Sequence, residues 1–260
     1  MAEELKIHFF DVGEGDAALL SFDDRHYLID TGNAKSIYSL AGKLDKITDQ
    51  LAGIIITHLH QDHLGGFFYL YEKFNRPFVF DNGAAIPGIE EPYRWYAELA
   101  RKTNPRNYRA LTRGDKINLG AINLEVLVPT LERFPGDDWN ENSLVIRLQY
   151  GKFCALLMGD ALIATEKFLL EHEASLKCDL VKLGHHGSKY TGDQDFITAV
   201  SPQYAVLSVN QDNVREYPSS EVLERWKLSG SKLLRTDLNG DIVFTVAKTG
   251  AIQQQSASGK

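Results

Sequence analysis

The chain has 260 residues and a formal net charge of −7, with 43% hydrophobic and 24% charged residues. These values fit one large globular domain with a substantial core, and they exclude an intrinsically disordered chain. No apolar stretch approaches the ~20 residues of a membrane-spanning helix, so no membrane association is expected. The acidic balance also argues against a protein that grips long nucleic acid through a basic surface.

The first eighty residues predict short strands separated by turn residues, with two helices between them. The strands are predicted at Lys6–Phe10, Ala17–Phe22, Arg25–Asp30 and Gly53–Thr57, and the helices at Ile37–Leu44 and Phe67–Phe74.

Residues 81–114 interrupt this pattern, because they are rich in Pro, Asn and Arg and contain one amphipathic piece, Tyr93–Arg101. The segment is longer than an ordinary connection, and it predicts an insertion that covers an open groove. It also holds the one basic cluster of the chain, which suits either phosphate recognition or a solvated helix face. The cluster consists of Arg101, Lys102, Arg106, Arg109 and Arg113, with Tyr108 available to stack on a base, whereas Lys152, Lys182 and Lys189 are scattered.

The second half repeats a run of strands followed by helices. Strands are predicted at Lys116–Leu119, Ile122–Val128, Ser143–Tyr150, Lys152–Met158, Asp179–Leu183, Tyr204–Ser208 and Asp241–Val246, and helices at Ala164–His172, Gln194–Val200 and Ser219–Ser229. Two such halves predict an α/β fold with four layers, an αββα sandwich of two sheets with helices outside. Residues 1–250 form a single predicted domain, and the low-complexity residues 251–260 a disordered tail.

The cellular compartment is predicted from the cysteines and from the start of the chain. Cys154 and Cys178 lie in apolar runs and are expected to be small buried residues without a disulfide framework. The opening Met-Ala-Glu-Glu-Leu-Lys lacks the basic and apolar parts of a secretion signal. A cytoplasmic protein is therefore expected.

The most informative motif is Thr57-His58-Leu59-His60-Gln61-Asp62-His63, which directly follows the apolar strand at residues 53–56. On a turn at a strand end, His58 and His60 can point one way while Asp62 and His63 point another. The two pairs then face two neighbouring metal positions, and imidazole with carboxylate suits zinc, manganese or iron. A polar surface loop that happens to carry three histidines is the alternative, and the strand-turn context argues against it.

Two later motifs also follow strands. Asp160 lies between an apolar strand and a helix, where it can be either a metal ligand or a helix N-cap. His185 and His186 are adjacent, so their side chains point in opposite directions and only one is expected to bind metal directly. One of the two would bind metal on the side of Asp62 and His63, and the other would support the site or contact the substrate.

Together these motifs resemble the metallo-β-lactamase fold, and more narrowly the hydrolase domain of the ComEC family of DNA-uptake proteins and its free-standing relatives. The resemblance is carried by Phe10-Asp11-Val12-Gly13-Glu14-Gly15-Asp16, Leu28-Ile29-Asp30-Thr31-Gly32, the His58–His63 motif, Asn142-Ser143-Leu144-Val145, Met158-Gly159-Asp160, Leu183-Gly184-His185-His186-Gly187-Ser188 and Leu234-Arg235-Thr236-Asp237-Leu238-Asn239-Gly240.

The resemblance implies roles for individual residues. Asp160 would bridge two divalent ions, and Asp30 would hydrogen-bond the histidine turn from behind. The resemblance also favours His186 as the direct metal ligand, with His185 in the supporting or substrate-contacting role. Many members of the wider fold have a further histidine ligand, but this chain has none between residues 64 and 171, and Asn142 stands near its place. An amide oxygen there would favour manganese more than an all-imidazole site does. Tyr217 occupies a position where relatives often have a histidine.

The sequence therefore predicts a metal-dependent hydrolase that uses a hydroxide bridging two zinc or manganese ions. The resemblance makes a phosphodiester the expected substrate, in a nucleic acid or a nucleotide-like molecule. Asp62 would orient the water, and His185 or Tyr217 would protonate the leaving oxygen. A lactone, thioester or β-lactam hydrolase of the same fold is one alternative, and a metal-retaining binding or regulatory module with little activity is another. The oligomeric state is not predicted.

Overall fold

Two mixed sheets dominate the computed structural model, which describes residues 4–84, 91–103, 105–132, 134, 138–211 and 216–256. The first sheet has the strand order β15-β14-β1-β2-β3-β4-β5-β6. Its strands are β1 (Glu4–Phe9), β2 (Ala18–Phe22), β3 (Arg25–Ile29), β4 (Gly53–Ile56), β5 (Phe78–Asp81), β6 (Tyr108–Ala110), β14 (Ile242–Ala247) and β15 (Ile252–Ser256).

The second sheet has the order β13-β12-β11-β10-β9-β8-β7. Its strands are β7 (Lys116–Leu119), β8 (Ile122–Val128), β9 (Val145–Tyr150), β10 (Phe153–Leu157), β11 (Leu180–Lys182), β12 (Tyr204–Leu207) and β13 (Lys232–Arg235). Strands β10 to β13 run parallel, so their carboxyl ends lie at one edge of the sheet.

Helices cover the outer face of each sheet. They are α1 (Ile37–Leu44), α2 (Gln61–Leu64), α3 (Phe67–Lys73), α4 (Tyr93–Tyr96), α5 (Ile163–His172), α6 (Gln194–Val200), α7 (Ser220–Leu228) and α8 (Thr236–Asn239), with a π-helical segment at Ala97–Thr103 and 3₁₀ turns at Pro105–Asn107 and His185–Gly187. Among the described residues, no helix is both long and apolar enough to cross a membrane.

Alternation of side chains along each strand explains the layers. On β4, Ile55 joins the core cluster between the two sheets, whereas Ile54 and Ile56 join the cluster beneath α1 and α3. On β10, Leu157 belongs to the central cluster and Leu156 to the cluster on the opposite, helical side. Both strands are buried on both faces, as expected for strands that lie between two layers. The predicted αββα sandwich is confirmed.

Most predicted strands and helices are present, with boundaries that differ by at most two residues. Four strands, β5, β6, β13 and β15, were not predicted. Strand β15 pairs antiparallel with β14, so the predicted disorder from residue 251 is wrong for residues 252–256. Residues 257–260 lie outside the described residues.

Cys154 and Cys178 are buried, as predicted, but they are paired in a disulfide. Cys154 lies on β10 and Cys178 lies just before the neighbouring parallel strand β11. The expectation of unpaired cysteines is therefore wrong. A cytoplasmic location stays a prediction, and the disulfide removes the argument that the cysteines gave for it.

Buried Glu166 on α5 holds the loop that follows the His185–Gly187 turn. Its carboxylate accepts hydrogen bonds from the backbone N–H groups of Gly192, at 2.8 Å, and Asp193, at 2.7 Å. Burial raises the pKa of Glu166 from 4.5 to about 7, although these two donors oppose the shift. The carboxyl group therefore favours its protonated form in the folded state more than in the unfolded state.

Glu166→Gln is expected to remove a pH-dependent part of the stability. The unfolding free energy of the wild type should fall relative to the variant as the pH rises from 4.5 to 7, because ionisation is disfavoured only in the folded state. The change should be about 3 kcal/mol, measured by urea unfolding at several pH values. Exposed Glu171 on the same helix gives the control, Glu171→Gln. If the unfolding free energies of the wild type and of Glu166→Gln depend on pH in the same way, the raised pKa of Glu166 is contradicted.

Candidate metal centre

The histidine turn begins where β4 ends and continues into α2. His58 and His63 are fully buried, and His60 and Asp62 are partly exposed. A close backbone approach fixes the turn, because the N–H of Asp16 donates to the carbonyl of Asp62 at 3.2 Å. Only glycine fits at residue 15, where φ is +120° and a Cβ would collide with the Asp62 carbonyl oxygen.

The largest donor group among the described residues combines the histidine turn with residues of the second sheet. Donor atoms of Asp62, His63, Asp160 and His186, here called the His63 group, lie within 4.8 Å of one another. Asp160 Oδ2 is 3.2 Å from His63 Nε2 and 3.6 Å from His186 Nε2, and His186 Nε2 is 3.5 Å from Asp62 Oδ2. The structure thus brings together four side chains that the sequence predicts as ligands.

The second donor group consists of His58, His60 and Asp160, here called the His58 group. His58 Nε2 lies 2.9 Å from His60 Nδ1 and 3.7 Å from Asp160 Oδ2. Burial lowers the pKa of His58 well below its usual value and lowers that of His60 as well. Both rings are therefore neutral at neutral pH, which is the form that coordinates a metal. Asp160 is the one residue common to the two groups.

Neighbouring groups orient the donor rings from behind. Asp30 accepts hydrogen bonds from the Thr57 N–H and hydroxyl, both at 2.8 Å, and from His63 Nδ1 at 2.7 Å. His186 Nδ1 donates to the Ser208 carbonyl at 2.9 Å. Each contact leaves the Nε2 atom of the ring directed at Asp160. This is how metal-binding histidines are usually oriented, and the contacts of Asp30 agree with its predicted supporting role.

Buried carboxylates set the charge of the His63 group. Burial alone would lower the pKa of His63, but the carboxylates of Asp160 and Asp30 hold it well above its usual value. The pKa of His186 is also raised against the effect of burial, by Asp160 and by its contact with Asp62. The carboxylates around these two rings therefore favour positive charge at this place in the fold.

Unsatisfied atoms in the His63 group test whether a cation fits there. His63 Nε2, His186 Nε2 and Asp160 Oδ1 are buried and have no hydrogen-bond partner among the described residues. Buried polar atoms are normally paired, because an unpaired one costs about 1–3 kcal/mol. Three such atoms in one group of four residues are the expected sign of a bound cation. The residues present therefore fit a divalent metal.

The family profile of the metallo-beta-lactamase superfamily matches residues 10–210, a range that contains both donor groups. The chain belongs to the metallo-beta-lactamase superfamily. The paired donor groups agree with a metal-binding member of this superfamily.

Among characterised relatives, the chain is similar to competence proteins. It is 28% identical over 265 residues to ComE operon protein 3 of Bacillus subtilis, covering 94% of this chain and 33% of that protein. It is 30% identical over 255 residues to competence protein ComA of Neisseria gonorrhoeae, covering 97% and 34%. The chain therefore spans about a third of the length of these relatives. The predicted resemblance to the ComEC family is confirmed.

More distant matches are to a ribonuclease and to solved structures. Ribonuclease J of Helicobacter pylori is 27% identical over 155 residues, which covers 56% of this chain and 19% of that protein. The metallo-beta-lactamase fold protein YhfI of Bacillus subtilis has a TM-score of 0.60 at 14% identity, covering 96% and 99%. A diphosphatase from the PhnP family has a TM-score of 0.55 at 12% identity, covering 94% and 99%. The two structures show that this superfamily chain has the expected fold.

Asn142 has another role than the predicted one. Its Oδ1 accepts a hydrogen bond from the Phe134 N–H at 2.9 Å, and its Nδ2 donates to the Asp138 carbonyl at 2.7 Å. Both the oxygen and the nitrogen of the buried amide are thus used in hydrogen bonds that hold the loop before β9. These contacts argue against the prediction that Asn142 replaces the missing histidine ligand.

His185 and Tyr217 lie beside the donor groups, and their catalytic roles stay predictions. His185 lines the cavity above Asp160, and its Nδ1 is 3.1 Å from the Ser188 hydroxyl. The ring of Tyr217 meets the His185 ring edge-on at 5.2 Å. His186, not His185, belongs to the His63 group, which agrees with the choice of His186 as the ligand.

An open cavity of about 1000 Å³ lies over both donor groups. His60, Asp62, Asp160 and His185 line it, and the partly exposed His60 and Asp62 are the members of the donor groups that a substrate would reach first. Lys35 is the single lysine or arginine among the described residues that line the cavity. The other lining residues are largely small or neutral, and Phe68 and Tyr93 supply its aromatic surface.

The 81–114 segment is anchored through buried Asp81. This carboxylate accepts hydrogen bonds from the hydroxyls of Tyr96 and Tyr108, at 2.7 and 2.8 Å, and from Arg101 at 2.8 and 3.0 Å. Arg101 and Tyr108 are therefore committed to holding the segment rather than to binding phosphate or a base. Residues 85–90 and 104 lie outside the described residues.

Two further arginines of the predicted cover are also engaged. Arg109 forms an ion pair with Asp115, and Arg113 pairs with Glu173 at 2.6 Å. Arg106 is exposed and has no ion pair among the described residues. The segment does reach the cavity through Pro92 and Tyr93, but its arginines do not line it. These ion pairs argue against the predicted phosphate-binding role of Arg101, Arg109 and Arg113, which stays a prediction.

A buried ion pair joins the two sheets beneath the donor groups, and sequence reasoning did not identify it. Lys182 at the end of β11 donates to the Asp16 carboxylate, just before β2, and to the Gly159 carbonyl at 3.0 Å. Asp16 lies 3.8 Å from His63 and 3.7 Å from His186. The available signal was the position of Lys182 within a buried apolar strand, where a lysine requires a partner.

Proposed function

We propose that this protein hydrolyses phosphodiester bonds with two divalent metal ions, zinc or manganese. The observation that supports this most is the pair of donor groups that share Asp160 at the base of an open cavity. The His58 group would hold one ion, the His63 group the other, and Asp160 both. Two neighbouring cations activate water at neutral pH and neutralise the charge that develops on a phosphoryl group.

The residues of the chain would bind and orient the reactants. Asp62 is the most exposed member of the His63 group and lines the cavity, so its carboxylate is placed to orient the attacking water. His185 also lines the cavity, and the contact of its Nδ1 with Ser188 leaves Nε2 to assist the leaving oxygen. Tyr217 packs on His185 and would hold that ring in place.

The surroundings favour a compact phosphodiester over a long nucleic acid. The cavity volume is that of a site for one small ligand, at the upper end of the usual range of about 300–1000 Å³. Three arginines that could have formed a basic track are bound in ion pairs, and the net charge is −7. Lys35 with Phe68 and Tyr93 would suit one phosphate and one base. The similarity to Ribonuclease J supports phosphodiester chemistry in general.

Turnover of bis-p-nitrophenyl phosphate by the metal-loaded protein is the direct test. We expect activity with manganese or zinc, loss of activity after chelation, and recovery when the metal is restored. A dinucleotide should be cleaved faster than a long single strand of DNA. Turnover of a lactone, thioester or β-lactam instead of the phosphodiester would contradict the proposal and select another hydrolase. Bound metal without turnover of any substrate would indicate a binding or regulatory module.

A further inference from the structure

The two donor groups are unequal within the described residues. The His63 group has four side chains, whereas the His58 group has three, one of which is shared. A metal at the His58 group therefore lacks a protein ligand compared with its neighbour. Asn142, which the sequence suggested for this place, is bonded to the backbone of Phe134 and Asp138.

The loop at residues 139–143 lies directly against the His58 group. At one end, the ring of Trp139 is 5.3 Å from the ring of His60. At the other end, the hydroxyl of Ser143 accepts a hydrogen bond from the N–H of Asp160 at 3.2 Å. The loop thus contacts a histidine of the group and the shared carboxylate, and the residues between these two contacts are held close to the same metal position.

In this loop, Asn140 has a side-chain oxygen that is available as a metal ligand. Its Oδ1 is buried and has no hydrogen-bond partner among the described residues, and the side chain lines the cavity together with His60 and Asp160. The backbone is fixed, because its N–H donates to Asp138 Oδ1 at 2.8 Å and its carbonyl accepts from the Ser143 N–H at 3.0 Å. The unpaired oxygen is therefore held in place by a structured loop.

We propose that Asn140 Oδ1 is the additional ligand of the metal held by His58 and His60. This inference rests on the proposed function, since it requires that the His58 group binds a metal. A neutral amide oxygen is a hard donor, so its presence shifts the preference of this group towards manganese. It would also make this metal the weaker bound of the two, because the His63 group contributes two carboxylates and two imidazoles.

Manganese titration of the metal-free protein tests the assignment without measuring activity. Free Mn²⁺ is followed by electron paramagnetic resonance, and the wild type should bind two equivalents. Asn140→Ala should weaken the weaker equivalent at least about tenfold and leave the tighter one unchanged. Asn140→Asp, which preserves the shape and adds a charge, should tighten the weaker equivalent.

Asn142→Ala is the matched control, because the two asparagines lie in the same loop. It should lower the Tm of the metal-free protein by breaking the loop contacts, whereas Asn140→Ala should leave that Tm unchanged, since its oxygen has no partner to lose. If both Asn140 variants bind two equivalents of Mn²⁺ with the same affinities as the wild type, the inference is overturned but the metal site is not. A wild type that binds no manganese or zinc would overturn both the inference and the proposed function.

Discussion

Replacing Asp160 with alanine is expected to remove nearly all hydrolysis and at least one of the two metal equivalents. Asp160 is the one residue shared by the two donor groups, and its Oδ2 lies within 3.7 Å of His58, His63 and His186. Its loss removes a ligand from both metal positions. It also removes the carboxylate that contributes most to raising the pKa values of His63 and His186. Loss of a metal should cost several kcal/mol in barrier height, on the order of a thousandfold or more in rate.

Metal analysis and turnover of bis-p-nitrophenyl phosphate should be measured on the same preparations. Asp160→Asn keeps the shape of the side chain but removes its charge, so it should also lose metal while retaining the fold. Exposed Asp195 on α6 provides a control, and Asp195→Ala should behave as the wild type. An Asp160→Ala protein that retains two metal equivalents, or a tenth of the wild-type rate, would show that the two groups do not act as one centre.

The main donor residues were predictable because their placement depends on local chain geometry. A cluster such as His58–His63 at the end of a buried strand is held by a rigid element, whatever the rest of the fold does. Asp160 and His186 also follow strands, and the parallel order of the second sheet brings their strand ends together. The sequence therefore predicts which residues converge, although it contains no direct information on their distances.

The proposed ligand Asn140 could not be distinguished from Asn142 by sequence, because the two side chains are chemically identical and only two residues apart. Which amide oxygen is free depends on where Phe134 and Asp138 lie, and that depends on the path of an irregular loop. The side chain of Asn142 is hydrogen-bonded within the loop, whereas Asn140 Oδ1 has no hydrogen-bond partner among the described residues. Spacing within a motif cannot make this distinction, since both readings place an asparagine near the metal.

The ion pairs of the arginines in the 81–114 segment could not be predicted, for a different reason. Two of the partners are distant in sequence, because Arg113 pairs with Glu173 and Arg101 pairs with Asp81. A basic cluster in sequence therefore need not be a basic surface. Strand β15 shows the same limit, because Ile252–Ser256 joins β14 through backbone hydrogen bonds that do not require apolar side chains.

The Lys182–Asp16 pair couples the donor groups to the fold. Lys182 lies in the second sheet and donates to the carbonyl of Gly159, the residue before Asp160, whereas Asp16 precedes β2 of the first sheet and its N–H donates to the carbonyl of Asp62. Both side chains are more than nine-tenths buried. The pair therefore links the turn that carries Asp160 to the turn that carries Asp62.

Lys182→Met is expected to lower the unfolding free energy of the metal-free protein by about 3–5 kcal/mol, because it leaves the Asp16 carboxylate buried without its counter-charge. Urea unfolding is the measurement, and Lys167→Met, at an exposed lysine on α5, is the control. Asp16→Asn alone should also destabilise, by leaving a buried ammonium group. The double variant Asp16→Asn with Lys182→Met buries no unpaired charge, so it should recover much of the lost stability. If the effects of the two single variants simply add in the double variant, the pair does not act as a unit, and the link between the two turns must come from the backbone contacts alone.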